Sequence, residues 1–396
     1  MADLDSDSTT GRSSDLPVGN SNSQSRIRES PFKRGFALAL KLTLALAGLA
    51  GLVWLLWPKP ALRQVLEVSA SGSSWLVEPH RAVLSGPTQG TRFTLVLAGE
   101  YSTEWLASVQ ARVDAELAAI DEQMSTWRPD SELSRFNAAP ANQAFEVSPP
   151  LLDLIELSQA LSERSGGAFD LTVAPLVEAW GFGAAKGAAH VEPSEASLAA
   201  LREQVGWRKL GFDRSTHTLT KRVEGLRVDV SAIAPGFTAD RIAAILDELA
   251  AHDYMIEIGG EVRSHGSNPE GEGWKIGIER PTDAEGARVV QTMLRVHDAG
   301  VATSGDYRNY WEKDGVRFSH TIDPRTGRPI VHTLASVTVV DHSAALADGW
   351  ATALSVLGPD EGLELATRLE LSAYFLVRTP TGFEARSTPA FAKLLP

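Results

Sequence analysis

No cysteine occurs anywhere in the 396 residues. Disulfides, cysteine-ligated zinc, a thiol nucleophile and a lipid-modified N-terminal cysteine are therefore excluded. The compartment stays open, because an exported protein can dispense with disulfides. Positive charge is in deficit. The chain has 37 Lys and Arg against 50 Asp and Glu, a balance of −13, which argues against a general nucleic-acid binder. No GxGxxG lies between a strand and a helix, no GxxxxGK(S/T) occurs, and there is no HExxH, so the dinucleotide-fold, P-loop and helical zinc-protease readings fail. Internal repeats are absent too.

One long apolar run is present. Residues 1 to about 35 are rich in Ser, Asp, Gly and Asn without an apolar period, and read as a disordered tail. Arg26, Arg28, Lys33 and Arg34 cluster ahead of Phe36 to Trp57, a stretch apolar throughout apart from Lys41. Its length falls within the ~17–25 residues that cross a bilayer as a helix. Trp54 and Trp57 stand where aromatic belts occur, and the bias of basic residues puts the N-terminus in the cytoplasm and the remainder outside. A cleaved signal peptide is the rival reading. The long preceding tail and the absence of a convincing small-x-small site favour an uncleaved anchor. Residues 58–81 then read as a linker and 82–396 as the folded domain.

Within that domain, Arg92 to Ala98 alternates as a strand does. Leu106, Val109, Val113, Leu117, Ile120 and Met124 recur at helical spacing and predict a helix over Thr103 to Met124. Further helices are expected over Leu151–Arg164, Ser194–Val205, from Pro235 to about His252, over Ser343–Leu357 and over Pro359–Leu369. Strands are expected at Trp207–Phe212, Thr218–Arg222, Leu226–Val230, Met255–Arg263 (interrupted at Gly259-Gly260), Trp274–Glu279, Val289–Val296, Leu334–Val340 and Ala373–Val377. The Asp314-Gly315 dipeptide predicts a hairpin turn. Hairpin signals without a regular strand-helix alternation give an α+β class with mostly antiparallel sheet and flanking helices.

Several residues invite chemistry. Asp348 and Thr352 are four apart on one predicted helix and share a face. An acid and a hydroxyl are oxygen ligands of the kind Mg²⁺ takes. Spacing alone favours an exposed acid beside a Thr bonded to its own helix. Gly259-Gly260 permits close backbone approach to a ligand, or marks a bulge. Asp306 before the predicted hairpin and His320 after it can come side by side. Trp127, Trp180 and Phe182 suit either a flat wall for a ring or the core.

Taken together, the ordered motifs STWRPDSELSRFN, GGAFDLTVAPLVEAWGFG, VDVSAIAPGFTADRI, IEIGGEVRSHG, ATSGDYRNYW, FSHTIDPRTGRPI and ADGWATALSVLG resemble the ApbE family of FAD:protein FMN transferases. The resemblance spans roughly Gly86 to Ala385. It implies an ApbE-like, T-fold-like architecture. It also implies an Mg²⁺-dependent enzyme that splits FAD, joins FMN through a phosphoester to a Ser or Thr of an acceptor protein, and releases AMP. Acceptors of that family are typically extracytoplasmic subunits of membrane redox complexes, modified in a short motif ending in Ser/Thr-Gly-Ala-Thr/Ser. Here a transmembrane helix would replace the family's more usual attachments. The resemblance assigns the metal to the Ala232 backbone, Asp348 and Thr352. It assigns flavin contacts to Trp127, Ala168, Phe169, Asp170, Asp229 and Ile322. His320 matches the histidine proposed to activate the acceptor hydroxyl, and Asp306 is a second candidate for proton handling. Gln89 and Pro235 fall at cofactor-contacting positions but depart from the usual residues there. FAD hydrolysis by water and flavin binding without turnover are the alternatives to transfer.

Overall fold

In a computed structural model of the protein, residues 64–66, 68–183, 192–281, 289–306, 310–313 and 316–395 are described. The apolar stretch Phe36 to Trp57 lies outside them. Among the described residues no helix is long and apolar enough to cross a membrane.

A ten-stranded sheet organises the molecule. Its strands, numbered in chain order, are β1 (Gln64–Val65), β2 (Ser74–Glu78), β3 (Arg81–Thr88), β4 (Thr91–Ala98), β5 (Tyr254–Ile258), β6 (Glu261–His265), β7 (Ala299–Gly305), β8 (Leu334–Asp341), β9 (Ser372–Thr379) and β10 (Gly382–Ser387). Spatial order follows chain order, and every pairing is antiparallel. Two strands thus lie in the stretch expected as a linker. The side chain that fixes β2 is Trp75, which is fully buried and donates its indole N–H to the Leu106 carbonyl at 3.1 Å.

Alternation along the strands builds two cores. Leu95 and Leu97 face one side of the sheet while Val96 faces the other, and Phe375 and Tyr374 divide the same way. Of the helices α1 (Thr103–Met124), α2 (Glu132–Ala138), α3 (Pro149–Arg164), α4 (Ala174–Ala179), α5 (Glu195–Arg202), α6 (Ala234–Glu248) and α7 (Ala344–Arg368), all but α4 and α5 pack on the first side, while α4 and α5 join a separate cluster with Trp180, Trp311 and Ile322. A hairpin of Trp274–Arg280 and Val289–Val296, with the short helix α8 (Pro389–Ala392), covers the second.

Helix α1 has the predicted limits. Ser102 caps it by accepting the Trp105 N–H, and its apolar stripe is wholly buried. Helix α7 is the element on which the site depends. The Ser343 hydroxyl accepts the Leu346 N–H, and the Asp240 carboxylate accepts from Ala344 and Ala345 N–H, both at 3.0 Å. A carboxylate at this end is favoured by the helix dipole. The α7 start is also pressed against its neighbours: a Cβ on Gly236 of α6 or on Gly300 of β7 would lie 2.4 Å from Ala344 backbone atoms. At its far end α7 breaks at Gly358, whose φ of 81° precedes Pro359. This is where two separate helices are predicted.

Three segments differ from their predicted form. The strand expected over Trp207–Phe212 starts only at Leu210, after a 3-10 turn over Trp207–Lys209. Gly259-Gly260 is a tight turn joining β5 to β6, with φ of 66° and 123°, rather than an interruption of one strand. Leu226–Val230 is extended but joins no sheet. The Asn137 amide takes the place of a neighbouring strand by bonding both the N–H and the carbonyl of Val228 at 2.8 Å, while Asp229 N–H bonds the Leu171 carbonyl.

Candidate active site

A cavity of about 480 Å³ opens over one end of α7, within the range of roughly 300–1,000 Å³ typical of small-molecule sites. Trp127, Ala168, Phe169, Asp170, Asp229, Ala232, His320, Ile322, Asp348 and Thr352 all line it. Ten of the thirteen residues to which the family resemblance points therefore converge on one space. A second cleft, of about 390 Å³, adjoins it across Thr126, Val177, Gly183 and Asp229.

Each wall has a local cause. Trp127 follows the end of α1 and projects its ring, 61% exposed, at the mouth. Ala168 and Phe169 are buried after the Gly166-Gly167 turn. Asp170 caps the next turn, accepting from Thr172 N–H (2.8 Å), Thr172 Oγ1 (2.6 Å) and Trp207 N–H (2.8 Å). Burial raises its carboxyl above the usual range, against the pull of those donors. Asp229 accepts from the N–H and hydroxyl of Ser231, which holds its carboxylate beside the cavity.

His320 arrives on an arm. The hairpin Tyr310–Lys313 and Val316–Ser319 is anchored through Trp311 and Phe318, whose rings stack at 4.2 Å. Trp180 stacks on Phe318 at 5.6 Å, accepts the Trp311 indole N–H on its carbonyl, and donates its own indole N–H to Gly327. Trp180 is accordingly fully buried and belongs to the arm's foundation, not to the cavity wall. Phe182 does line the cavity, with its ring 6.4 Å from the His320 imidazole. Asp314 and Gly315, the predicted turn, lie outside the described residues.

Asp348 lies on α7, 9% exposed, and accepts the Gly236 N–H at 3.1 Å. Burial first, and the like charge of Glu261 second, push its carboxyl well above the ordinary range. Thr352 stands one turn further along the same helix. Oxygen donors alone, with no group of three or more His, Cys, Asp or Glu suited to a metal among the described residues, fit a hard cation that keeps several waters. They do not fit zinc.

The other three of those thirteen lie outside this lining. Asp306 follows the lining residue Gly305, but its carboxylate is held by Arg378, with Nη1 at 3.0 Å and Nη2 at 2.5 Å. The bidentate contact fixes the carboxylate in place against β9. Gln89 donates to the Thr238 hydroxyl at 2.6 Å and borders a different hollow, beside Thr91 and Asp114. Pro235 sits in the first turn of α6, where its missing N–H costs nothing. Sequence reasoning overlooked Glu261, which lines the cavity. The available signal was an acid directly after Gly259-Gly260.

An antiparallel sheet backed by helices thus carries a cavity of small-molecule size, with an exposed aromatic and several carboxylates in its lining. The ApbE family model matches residues 89–375. The chain is 41% identical over 315 residues to the FAD:protein FMN transferase of Haemophilus influenzae, covering 78% of this chain and 90% of that one. It is 38% identical to the solved flavin transferase ApbE from Vibrio cholerae, at a TM-score of 0.72 over 80% of this chain and 99% of that one. The apo flavinyl transferase ApbE of Pseudomonas stutzeri gives 41% identity and a TM-score of 0.71 over 79% and 96%. The chain belongs to the ApbE family and is a transferase.

Proposed function

We propose that this protein transfers FMN from FAD to a Ser or Thr hydroxyl of an acceptor protein and releases AMP. The single observation carrying this reading is the convergence of His320, Asp229, Trp127 and the Asp348-Thr352 pair on one cavity, in a chain whose relatives are named for that reaction.

In this reading the flavin ring stacks on Trp127, whose exposed face has no partner ring among the described aromatic contacts, and lies against the buried Ala168-Phe169 wall. The carboxylate of Asp229, oriented by Ser231, is an acceptor for ring N–H. The acceptor hydroxyl oxygen attacks the phosphorus on the flavin side of FAD. One P–O bond forms, the bridging P–O bond breaks, and AMP leaves. The hydroxyl proton passes to a ring nitrogen of His320, which must lie within about 2.6–3.2 Å in the reactive complex. An imidazole ordinarily titrates near neutral pH, which suits the residue type to that task. Asp348, Thr352 and the Ala232 carbonyl would hold Mg²⁺. Once bound, that ion supplies positive charge to offset the negative charge developing on the leaving phosphate.

The stretch Phe36 to Trp57 is proposed as a membrane anchor, holding the catalytic domain outside the cytoplasmic membrane beside redox-complex subunits. Incubating the full chain with FAD, Mg²⁺ and an acceptor carrying the Ser/Thr-Gly-Ala-Thr/Ser motif should give a fluorescent, covalently labelled acceptor and AMP in equal amount. His320→Ala should slow labelling by about 10²–10⁴-fold with FAD affinity unchanged. AMP without labelled acceptor would mean that water is the acceptor. Bound FAD with no AMP would mean a binding protein.

A further inference from the structure

Flavin transfer to a protein has two substrates, and the segment that carries the accepting hydroxyl needs its own way in. The second cleft, of about 390 Å³, meets the main cavity at Thr126, Val177, Gly183 and Asp229. Ala232, Asp348 and Thr352 line the cavity but not the cleft, so the two meet elsewhere than at the proposed cation. Displacement at phosphorus runs roughly in line, with the attacking and leaving oxygens on opposite sides. In the transfer reading the cation marks the side on which AMP leaves, which puts the attacking oxygen on the other. Gly183, on the rim of the cleft, follows Phe182, the ring that the His320 imidazole meets at 6.4 Å.

The lining of the cleft suits a main chain. Ala138, Ala174 and Gly183 carry little or no side chain and let a backbone lie close. Glu178 and Arg227 form an ion pair, with Arg227 Nη1 donating to Glu178 Oε2 at 2.7 Å, and their side chains are 32% and 42% exposed. A half-exposed carboxylate can accept an amide N–H, and a guanidinium can donate to a carbonyl. An extended segment offers both groups at every residue other than proline. Two carboxylates, Glu178 and Asp229, stand against the single guanidinium of Arg227, a balance that opposes a phosphate.

We propose that this cleft seats the acceptor polypeptide in extended form. Resting on the flavin-transfer reading, this gives the two substrates adjoining spaces, FAD in the main cavity and the acceptor in the cleft.

Because the chain has no cysteine, a single introduced thiol can report on the cleft. Ala138 lines it from the end of α2 and is exposed. In the full chain carrying Ala138→Cys, a maleimide should react at the same rate with and without FAD. An acceptor bearing the Ser/Thr-Gly-Ala-Thr/Ser motif, at ten times its Kd, should slow that reaction by about tenfold. Ala385→Cys, exposed on β10 and lining neither hollow, is the reference and should react equally throughout. Ala138→Trp, which fills the cleft from its lip, should raise the acceptor KM by about tenfold and leave the FAD dissociation constant, read by flavin fluorescence, unchanged. Protection by FAD alone, or weakened FAD binding in Ala138→Trp, would make the cleft part of the nucleotide site and overturn the proposal while leaving the transfer reading intact. So would equal protection of the two thiols, no protection by the acceptor, or an unchanged acceptor KM in Ala138→Trp. A wild type that passes no flavin to the acceptor overturns the transfer reading itself, and the proposal with it.

Discussion

Asp306 and Asp348 are buried to the same degree, 7% and 9% exposed, and each adjoins a strand or helix that walls the cavity. Their surroundings differ. Asp306 accepts two hydrogen bonds from Arg378, whose Nη1 also reaches the Leu334 carbonyl. Its charge is neutralised within the protein, and the pair ties the end of β7 to β9. Asp348 accepts one backbone N–H and faces a second carboxylate. No Lys or Arg is ion-paired with it among the described residues. Burying a carboxylate without a counter-charge is costly. The first arrangement is a finished brace, while in the second the proposed Mg²⁺ would supply the counter-charge. Burial and residue type are equal in the two; the partner decides the role.

The largest effect expected from this contrast is at Asp348. Asp348→Asn should lower turnover by about 10²–10³-fold, the scale of losing one strong electrostatic contact to the transition state. Stability should move the other way. In Mg²⁺-free buffer the variant should melt at or above the wild-type temperature, because a buried like charge has been removed. Mg²⁺ at 100 times its Kd should stabilise the wild type by about 2.7 kcal/mol and leave the variant unchanged. Thermal melts with and without Mg²⁺ read both effects. A variant that melts well below the wild type without Mg²⁺ would show that Asp348 is already satisfied by the protein, and the contrast with Asp306 would fail.

Asp306 should give the reverse pattern. Asp306→Asn leaves the Arg378 guanidinium without its counter-charge and should cost about 1.5–3 kcal/mol, the worth of hydrogen bonds to a charged group. The shift should appear in the urea midpoint, and the Mg²⁺ response should persist. Arg378→Gln combined with Asp306→Asn should cost less than the sum of the single changes, because the two share one interaction. A variant with wild-type stability and abolished labelling would instead make Asp306 a proton carrier, as its place in the sequence suggests.

The same contrast explains what the sequence could convey. Helix α1 is legible because six apolar residues repeat at a local period, and the break in α7 because Gly358-Pro359 is a local signal. Asp348 and Thr352 are legible for the same reason, being four apart on one helix. The Asp306–Arg378 pair joins residues 72 apart in the chain, and no local pattern announces a partner at that distance. Leu226–Val230 has the composition of a strand, yet its ladder is replaced by the side chain of Asn137, 91 residues away. Glu261 stands in plain view after two glycines. That it shares a cavity with Asp348 appears only once the β5–β6 turn is formed. Periodicity tells which residues share a face, while the counter-charge of a buried group depends on the fold.

His332 connects the two aspartates and gives the smallest expected effect. Pro359 has no N–H to offer the Ser355 carbonyl four residues earlier. The His332 ring fills that vacancy: Leu334 N–H donates to Nδ1 at 3.3 Å, leaving Nε2–H to donate to Ser355 O at 2.9 Å. The ring thus caps the helix that bears Asp348. It also feels the charge of Asp306, which favours protonation. Burial outweighs that charge and holds the imidazole below its usual pKa. Because the folded value is lowered, the unfolded chain binds the extra proton. Stability from this ring is complete above the unfolded value of about 6.5 and is lost as pH falls through the folded value. His332→Leu should cost about 1 kcal/mol at pH 7.5 through the lost bond to Ser355, and less at pH 5.5, where the wild-type ring contributes little. Asp306→Asn, by removing the charge that favours protonation, should move the wild-type loss to lower pH. Urea unfolding of the three proteins between pH 7.5 and 5 measures this. If the His332→Leu deficit grows as pH falls, the ring is bound in its charged form, and the link it makes between the two aspartates is electrostatic rather than a neutral cap.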